Sequence, residues 1–235
     1  MKRTKWATLA MSISFLLGTI IAVGSLVSMG GRLDTASLTA TPFSVPTLLV
    51  TCLDPLTILL EIAAIILMVM ESKRVGNPHR RLAWLAAIFF IIWGVLNLGV
   101  FLPLSFIGTQ RGSLSMIKTA QKVKAGAALL QYAIPFLLVY GVSHRLPRVL
   151  LWAALFLTIV GNFGTITIPI STMTLEEIET AGQTMYAPRL DIDYREGIYP
   201  LLLGLGYAGG ALYMIVYGLL TVRFFRDNDP LNAQT

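Results

Sequence analysis

The sequence has little charge and few residues that bind metals or form disulfides. Charged residues make up 13% of its 235 positions, about half the share found in an average soluble domain. The single cysteine, Cys52, excludes an internal disulfide framework, a Cys-rich zinc site and an iron–sulfur cluster. The two histidines, His79 and His144, leave little scope for haem ligation. We therefore predict a protein without a cofactor and without a bound metal ion.

The common catalytic motifs are also missing. The chain contains no GxGxxG, P-loop, GxSxG, HExxH or CxxC pattern. No stretch between its apolar runs is long enough to form a soluble catalytic domain. These absences disfavour an enzyme, although they leave one acting within the membrane open.

Apolar residues are what the sequence has in abundance. They make up 55% of the chain, and a soluble fold of this size cannot bury that much apolar surface. A membrane-spanning helix needs about 20 mainly apolar residues, and six runs qualify. We predict an all-α, polytopic transmembrane bundle of six helices that forms one domain over residues 1–235. The predicted spans are 6–29, 47–70, 82–106, 125–142, 149–170 and 199–222.

Lysine and arginine placement predicts the orientation. With six spans both termini lie on one side, and that side carries eleven of the 18 Lys and Arg residues. The positive-inside rule therefore places both termini in the cytoplasm, and the apolar spans would be in contact with membrane lipid. The first apolar run is too long for a typical signal peptide, so we interpret it as an uncleaved span. Because this pattern already accounts for the net charge of +6, we predict no nucleic-acid partner.

Two acidic residues in the second span are the strongest candidates for a site. Asp54 and Glu61 are seven residues apart, so they share one helix face at a separation of ~10 Å along the axis. Glu61 falls mid-run, where an ionised carboxylate is costly, and no other span places Lys or Arg at that depth. We predict that Glu61 faces inward and bonds to neutral groups, forming a ligand or proton site. The candidate partners are Asn97, Gln131, Tyr132, Thr158, Asn162 and Thr165.

Asp54 has two interpretations at this stage. It precedes Pro55, and Asp at the N-cap with Pro at the first helical position is a favoured helix start. The alternative is a functional acid that works together with Glu61.

Small residues recur at helical spacing in the first and sixth spans. Ser14, Gly18 and Ala22 form one stripe, and Gly206 and Gly210 form another. Such stripes allow close helix packing in membranes. Tyr213 and Tyr217 continue the second stripe, and they either pack between helices or line a ligand channel.

The two long outer loops have opposite charges. Segment 107–124 is basic and segment 171–197 is acidic. We predict that they pair as an ordered cap, whereas the alternative is a docking surface for a protein partner or an anionic headgroup. Thr174 and Glu177 form a capping box, which predicts a short helix over 175–182. Asp191, Asp193 and Glu196 lack the glycine and the further ligands of a calcium loop.

Three of these features resemble an uncharacterised family of bacterial six-helix integral membrane proteins, a domain of unknown function. They are the Asp54–Glu61 pair, the sequence P-R-V-L at Pro147–Leu150, interpreted as a tight turn between spans four and five, and the length and six-span layout. The resemblance implies a fold and an inner-membrane location. It implies no substrate and no catalytic residue.

Three functions fit the sequence. The first is a carrier or binding protein for a small apolar or weakly polar ligand, proton-linked through Glu61. The second is an accessory or structural subunit of a larger membrane complex, held through the outer loops or the glycine-rich helix faces. The third is an enzyme acting on a lipidic substrate, with Glu61 or Asp54 as its acid or base.

Overall fold

A computed structural model describes residues 2–28, 45–180, 183–189 and 197–226. Within these residues the chain is predominantly helical, and six of its helices are long and apolar enough to cross a membrane, as predicted. They are α1 (Lys2–Ser28), α2 (Val45–Val75), α3 (Asn77–Arg111), α4 (Leu114–Tyr140), α5 (Arg145–Thr172) and α6 (Tyr199–Arg226).

Helices α3 and α5 each contain a π-helical stretch, at Leu96–Phe101 and Ile159–Phe163 respectively. A proline follows each stretch, and in α5 it is Pro169. Because proline has no N–H group, the carbonyl of Thr165, four residues earlier, loses its helical donor. The Tyr199 hydroxyl donates to that carbonyl at 3.2 Å, which ties the start of α6 to the outer end of α5.

Helix α2 runs through Pro55 without ending. It begins at Val45, nine residues before Asp54, so the prediction that Asp54 caps this helix is wrong. Asp54 is exposed on the helix surface, and its carbonyl accepts a hydrogen bond from Thr57 Oγ1 at 2.7 Å. Proline is tolerated inside long apolar helices, and here the helix continues through Pro55. The Asp-Pro pair therefore lies inside the helix.

The link between α4 and α5 is also displaced from its predicted position. Helix α5 begins at Arg145, so Pro147–Leu150 lies in its first turns and does not form the connecting turn. Proline fits there because the first N–H groups of a helix have no internal acceptor. Residues 141–144 make the connection instead.

The bundle is centred on aromatic side chains from α1 and α6. Helix α1 packs along α2 and α6, while α3 packs on α4 and α5 packs on α6. Tyr213 and Tyr217 are buried, and Phe15 of α1 stacks on Tyr213 with ring centroids 5.4 Å apart. The hydroxyls of the two tyrosines donate to the α4 carbonyls of Tyr132 at 3.2 Å and Pro135 at 2.7 Å. These tyrosines therefore join helices and are not exposed to a channel.

Helices α5 and α6 approach each other closely where they cross. A Cβ on Gly161 would collide with the backbone of Gly206, and a Cβ on Gly209 would collide with Thr158. In contrast, no atom in the described part of the chain lies within 4 Å of the position a Cβ on Gly18 or Gly210 would take. The prediction of close packing is therefore wrong at those two glycines. The predicted stripe contains Gly210, whereas the glycine that contacts Thr158 at the crossing is Gly209, one residue earlier.

The other small-residue stripe contacts α2. Ser14 is buried, and its hydroxyl donates to the Thr57 carbonyl at 3.4 Å. The side chain of Ala22 lies outside the described part of the chain.

A β-hairpin replaces the helix predicted at 175–182. Strand β1 (Thr174–Thr180) pairs antiparallel with β2 (Gln183–Arg189), with Glu177 opposite Tyr186. Tyr186 packs against Gly112, which has φ 60° and ends α3. The capping box is a local signal, and the hairpin is favoured by strand pairing and by this contact, which is distant in sequence.

The hairpin brings the two outer loops into contact at the end of α3. The contact between the two loops that the structure describes is the ring of Tyr186 against Gly112. It involves no charged group, so charge pairing between the loops stays a prediction. Helix α4 begins at Leu114, so it starts eleven residues before the predicted fourth span and includes part of the basic segment. Asp191, Asp193 and Glu196 lie outside the described residues.

Candidate functional site

The site is centred on Glu61, in the middle of α2. Helix α2 runs unbroken from Val45 to Val75, so Glu61 is held by two or more full turns of helix on each side. Its side chain is partly buried and faces α4 and α6. Within the described ranges, no lysine or arginine interacts with the Glu61 carboxyl group.

Gln131 of α4 is the neutral side chain that interacts with the Glu61 carboxyl group. It precedes Pro135 by four residues, so its own backbone carbonyl lacks a helical donor. One turn further along α4, the Tyr217 hydroxyl donates to the Pro135 carbonyl, and Tyr217 lies close enough to Glu61 to interact with its charge. Helices α2, α4 and α6 therefore meet at this polar position in an otherwise apolar bundle.

The amide of Gln131 suits both protonation states of the carboxyl group. Its NH₂ group can donate to an ionised carboxylate, and its carbonyl oxygen can accept from a protonated carboxylic acid. A lysine or arginine in its place would favour the ionised form only. The Glu61–Gln131 pair is therefore suited to gaining and losing a proton at a fixed position.

Asp54 extends the site towards the N-terminal end of α2. It lies two turns from Glu61, ~10 Å along the axis, and the two carboxyl groups interact electrostatically. Asp54 is exposed, whereas Glu61 is partly buried. The helix face thus carries one acid at the surface and one in the interior.

The other predicted site residues are not gathered around Glu61. Asn97 donates to the carbonyl of Trp93 in its own helix at 2.8 Å. Thr165 donates to the Asn162 carbonyl, also within its own helix, at 2.9 Å. Thr158 and Asn162 face Gly209 and Gly206 at the α5–α6 crossing. The polar stripe of α5 therefore lies at a helix contact and not in a chamber with Glu61.

Tyr132 contributes its backbone to the site region. Its carbonyl accepts the hydrogen bond from Tyr213, and its side chain is partly buried. Sequence reasoning missed Gly161 and Gly209 at the crossing and left the role of Tyr217 open. The i, i+4 spacing of Tyr213 and Tyr217 was the available signal for a shared face. The sequence carries no signal for the α4 carbonyls, those of Tyr132 and Pro135, that accept from these two tyrosines.

The described residues contain no group of three or more His, Cys, Asp or Glu side chains placed to hold a metal ion. No protein-family model, curated protein or solved structure matches the chain. The chemistry available at Glu61 is hydrogen bonding and proton exchange.

Proposed function

We propose that the six apolar helices cross a membrane, with both termini on the cytoplasmic side of a bacterial or archaeal inner membrane. Large apolar side chains on the outside of the bundle support this proposal. Leu98 is 70% exposed, Val222 is 69% exposed, and Ile91 on the same helix as Leu98 is 63% exposed. A soluble monomer rarely exposes contiguous apolar surface on this scale, whereas hydrocarbon covers it without cost.

Within that membrane, the protein acts as a carrier or binding protein for a small apolar or weakly polar ligand, and its cycle involves a proton on Glu61. The observation that carries this proposal is the position of Glu61 at mid-helix beside the neutral amide of Gln131. An intramembrane carboxyl group is costly and is typical of proton relays and ion pathways. Its neutral partner permits protonation and deprotonation, which a purely structural ion pair would oppose.

A subunit of a larger membrane complex is the second candidate. It is favoured by the outer face of α3, whose exposed side chains would suit a neighbouring helix as well as they suit lipid. An enzyme acting on lipid has less support. The side chain bonded to Glu61 is the Gln131 amide, which has no proton to exchange as an acid or base.

Proton movement into liposomes tests the carrier proposal. The purified full-length protein is reconstituted with pyranine trapped inside, and an inward proton gradient is imposed together with potassium and valinomycin. We expect acidification faster than in empty liposomes, and we expect Glu61→Gln to reduce it to the empty-liposome rate. Glu177→Gln, the same chemical change at an exposed position of β1, is the matched control and should retain the wild-type rate.

Thermal unfolding of each variant establishes that the bundle is intact. Wild-type protein with the empty-liposome rate contradicts proton movement by this chain, and Glu61→Gln with the wild-type rate contradicts the role of Glu61. If Glu61→Gln is silent while Glu61→Leu destabilises the bundle, the residue is structural and the proposal is wrong.

Cysteine labelling tests the orientation separately. In a Cys52→Ser background, we expect an impermeant reagent added outside cells to label Glu177→Cys and not Lys73→Cys; both positions are exposed. The reverse pattern would invert the bundle in the membrane.

A further inference from the structure

The first three turns of α3 carry an open groove on the side of the helix that faces away from the bundle. It has a volume of about 430 Å³, and we call it the arginine groove. The residues that line it follow the i, i+3, i+4 spacing of a single helix face. They are Asn77, Arg80, Arg81, Trp84, Leu85 and Ile88.

The groove changes from polar to apolar along its length. Asn77, Arg80 and Arg81 form the end nearest the start of α3, and Leu85 and Ile88 form the other end. From Asn77 to Ile88 the helix rises by ~16 Å. Trp84 lies between the two ends and is 50% exposed, the position at which tryptophan is enriched at membrane interfaces. A ligand that fills this groove has a charged head and an apolar tail.

Among the residues that the structure describes, no acidic side chain neutralises the charge of the polar end. Helix α3 contains no acidic residue over Asn77–Arg111. Neither Arg80 nor Arg81 forms an ion pair with any residue that the structure describes, and both are exposed. The helix starts here after Gly76, which supplies no side-chain cap, so the positive end of the helix dipole adds to the arginines. The complementary ligand group is an anion.

The opposite face of the same helix is fixed to the bundle. His79, Ala83 and Ala86 are buried on that side, and α3 packs against α4. Contact is close at Gly141, where a Cβ would lie 2.9 Å from the His79 Cα. Because this face is anchored, the arginines are held on the side that faces away from the bundle.

We propose that the arginine groove binds one anionic phospholipid of the cytoplasmic leaflet. The phosphate group lies between Arg80 and Arg81, and an acyl chain lies along Leu85 and Ile88. This inference rests on the membrane insertion and orientation proposed above and is independent of Glu61. Free phosphate would satisfy the arginines but leave the apolar half of the groove empty, so the occupant is a lipid.

Quenching of tryptophan fluorescence by brominated lipids tests this site. The full-length protein in an uncharged detergent is titrated with brominated phosphatidylglycerol, and in parallel with brominated phosphatidylcholine. The Trp84→Phe variant identifies the part of the quenching that comes from Trp84. We expect Trp84 to be quenched at lower concentrations of phosphatidylglycerol than of phosphatidylcholine.

The double variant Arg80→Gln/Arg81→Gln should bind phosphatidylglycerol about 30-fold more weakly, the change expected for two surface cations near an anionic lipid. Lys73→Gln/Arg74→Gln is the matched control. It removes the same charge from exposed positions at the same end of the bundle, outside the groove, and should have little effect. Thermal unfolding confirms that each variant is folded.

Three results would overturn the proposal. Equal quenching by the two lipids would mean that binding in the groove does not require a lipid with a negatively charged headgroup. An equal loss in the control variant would indicate diffuse attraction to the protein surface. Displacement of brominated phosphatidylglycerol by inorganic phosphate as effectively as by unlabelled phosphatidylglycerol would identify an anion site without lipid specificity. A wrong topology would instead be detected by the cysteine labelling, so the two failures are distinguishable.

Discussion

Helices α3 and α4 pack against each other, yet the more apolar of the two, α3, is the less buried. The most apolar window of α3 has a mean hydropathy of 2.4, and 6% of that window is buried. The corresponding window of α4 has a mean hydropathy of 1.4, and 50% of it is buried. In a water-soluble fold the more apolar helix would be the more buried. The reversal is what a bundle in hydrocarbon requires, because there the outer face needs apolar side chains more than the inner face does.

The difference also shows where chemistry can be located in such a bundle. The bundle-facing side of α4 is held by small residues, by the carbonyls that accept from Tyr213 and Tyr217, and by the bond from Gln131 to Glu61. The outer side of α3 presents long apolar side chains along most of its length and arginines only at its two ends. We therefore propose proton exchange for the interior of the bundle and lipid recognition for its surface.

The same substitution in the two helices should give the largest contrast. Leu138 of α4 is fully buried, so Leu138→Ala should leave a cavity and cost ~2–5 kcal/mol in unfolding free energy. Leu98 of α3 is exposed, so Leu98→Ala should change that free energy by less than ~0.5 kcal/mol. Unfolding in detergent measures both, and similar losses would mean that α3 is covered by a protein partner.

A charge on α3 should be tolerated at its end and not at its middle. Leu98→Arg should cost ~2.5–3.5 kcal/mol in a membrane-insertion assay, because the guanidinium group would lie deep in hydrocarbon. Gln110→Arg, at the exposed outer end of the same helix, should be nearly neutral, because its side chain can reach the interface. Equal costs at the two positions would contradict the transmembrane placement of α3.

A single hydroxyl group should give the smallest effect. Tyr217→Phe removes the bond to the Pro135 carbonyl and should cost ~0.5–1.5 kcal/mol in unfolding free energy. Tyr207→Phe, on the same helix but partly exposed, should change stability less. If the two variants are equally stable, the α4–α6 contact does not depend on this hydrogen bond.

The six helices were predictable because each needs only a local signal, a run of apolar residues. Helix starts and turns were less predictable, because their signals have more than one structural meaning. Asp54–Pro55 is a favoured helix start and also a tolerated interior step, and Thr174–Glu177 fits both a capping box and a strand. At Thr174–Glu177 the structure follows a contact that is distant in sequence, Tyr186 on Gly112.

Within the candidate site, Glu61 could be identified from its depth in an apolar run, but its partner could not be selected. Gln131, Asn97 and Asn162 are each polar residues in a predicted span. Helix rotation decides among them: Asn97 bonds within its own helix, and Asn162 faces Gly206. Helix rotation is set by packing between helices, at contacts such as Gly161 on Gly206, and no single-helix pattern encodes it.

The central claim is that Glu61 exchanges its proton with water, and hydrogen–deuterium exchange of its carboxyl group tests that claim most directly. Infrared spectra are recorded at a pH low enough to protonate the carboxyl, before and after transfer into D₂O. The Glu61 band is assigned by its loss in Glu61→Gln. We predict a prompt downshift of that band in D₂O and a slower one in Asp54→Asn, which removes the outer acid. A Glu61 band that keeps its proton in D₂O would contradict the account, because a sealed carboxyl group cannot link a ligand to a proton.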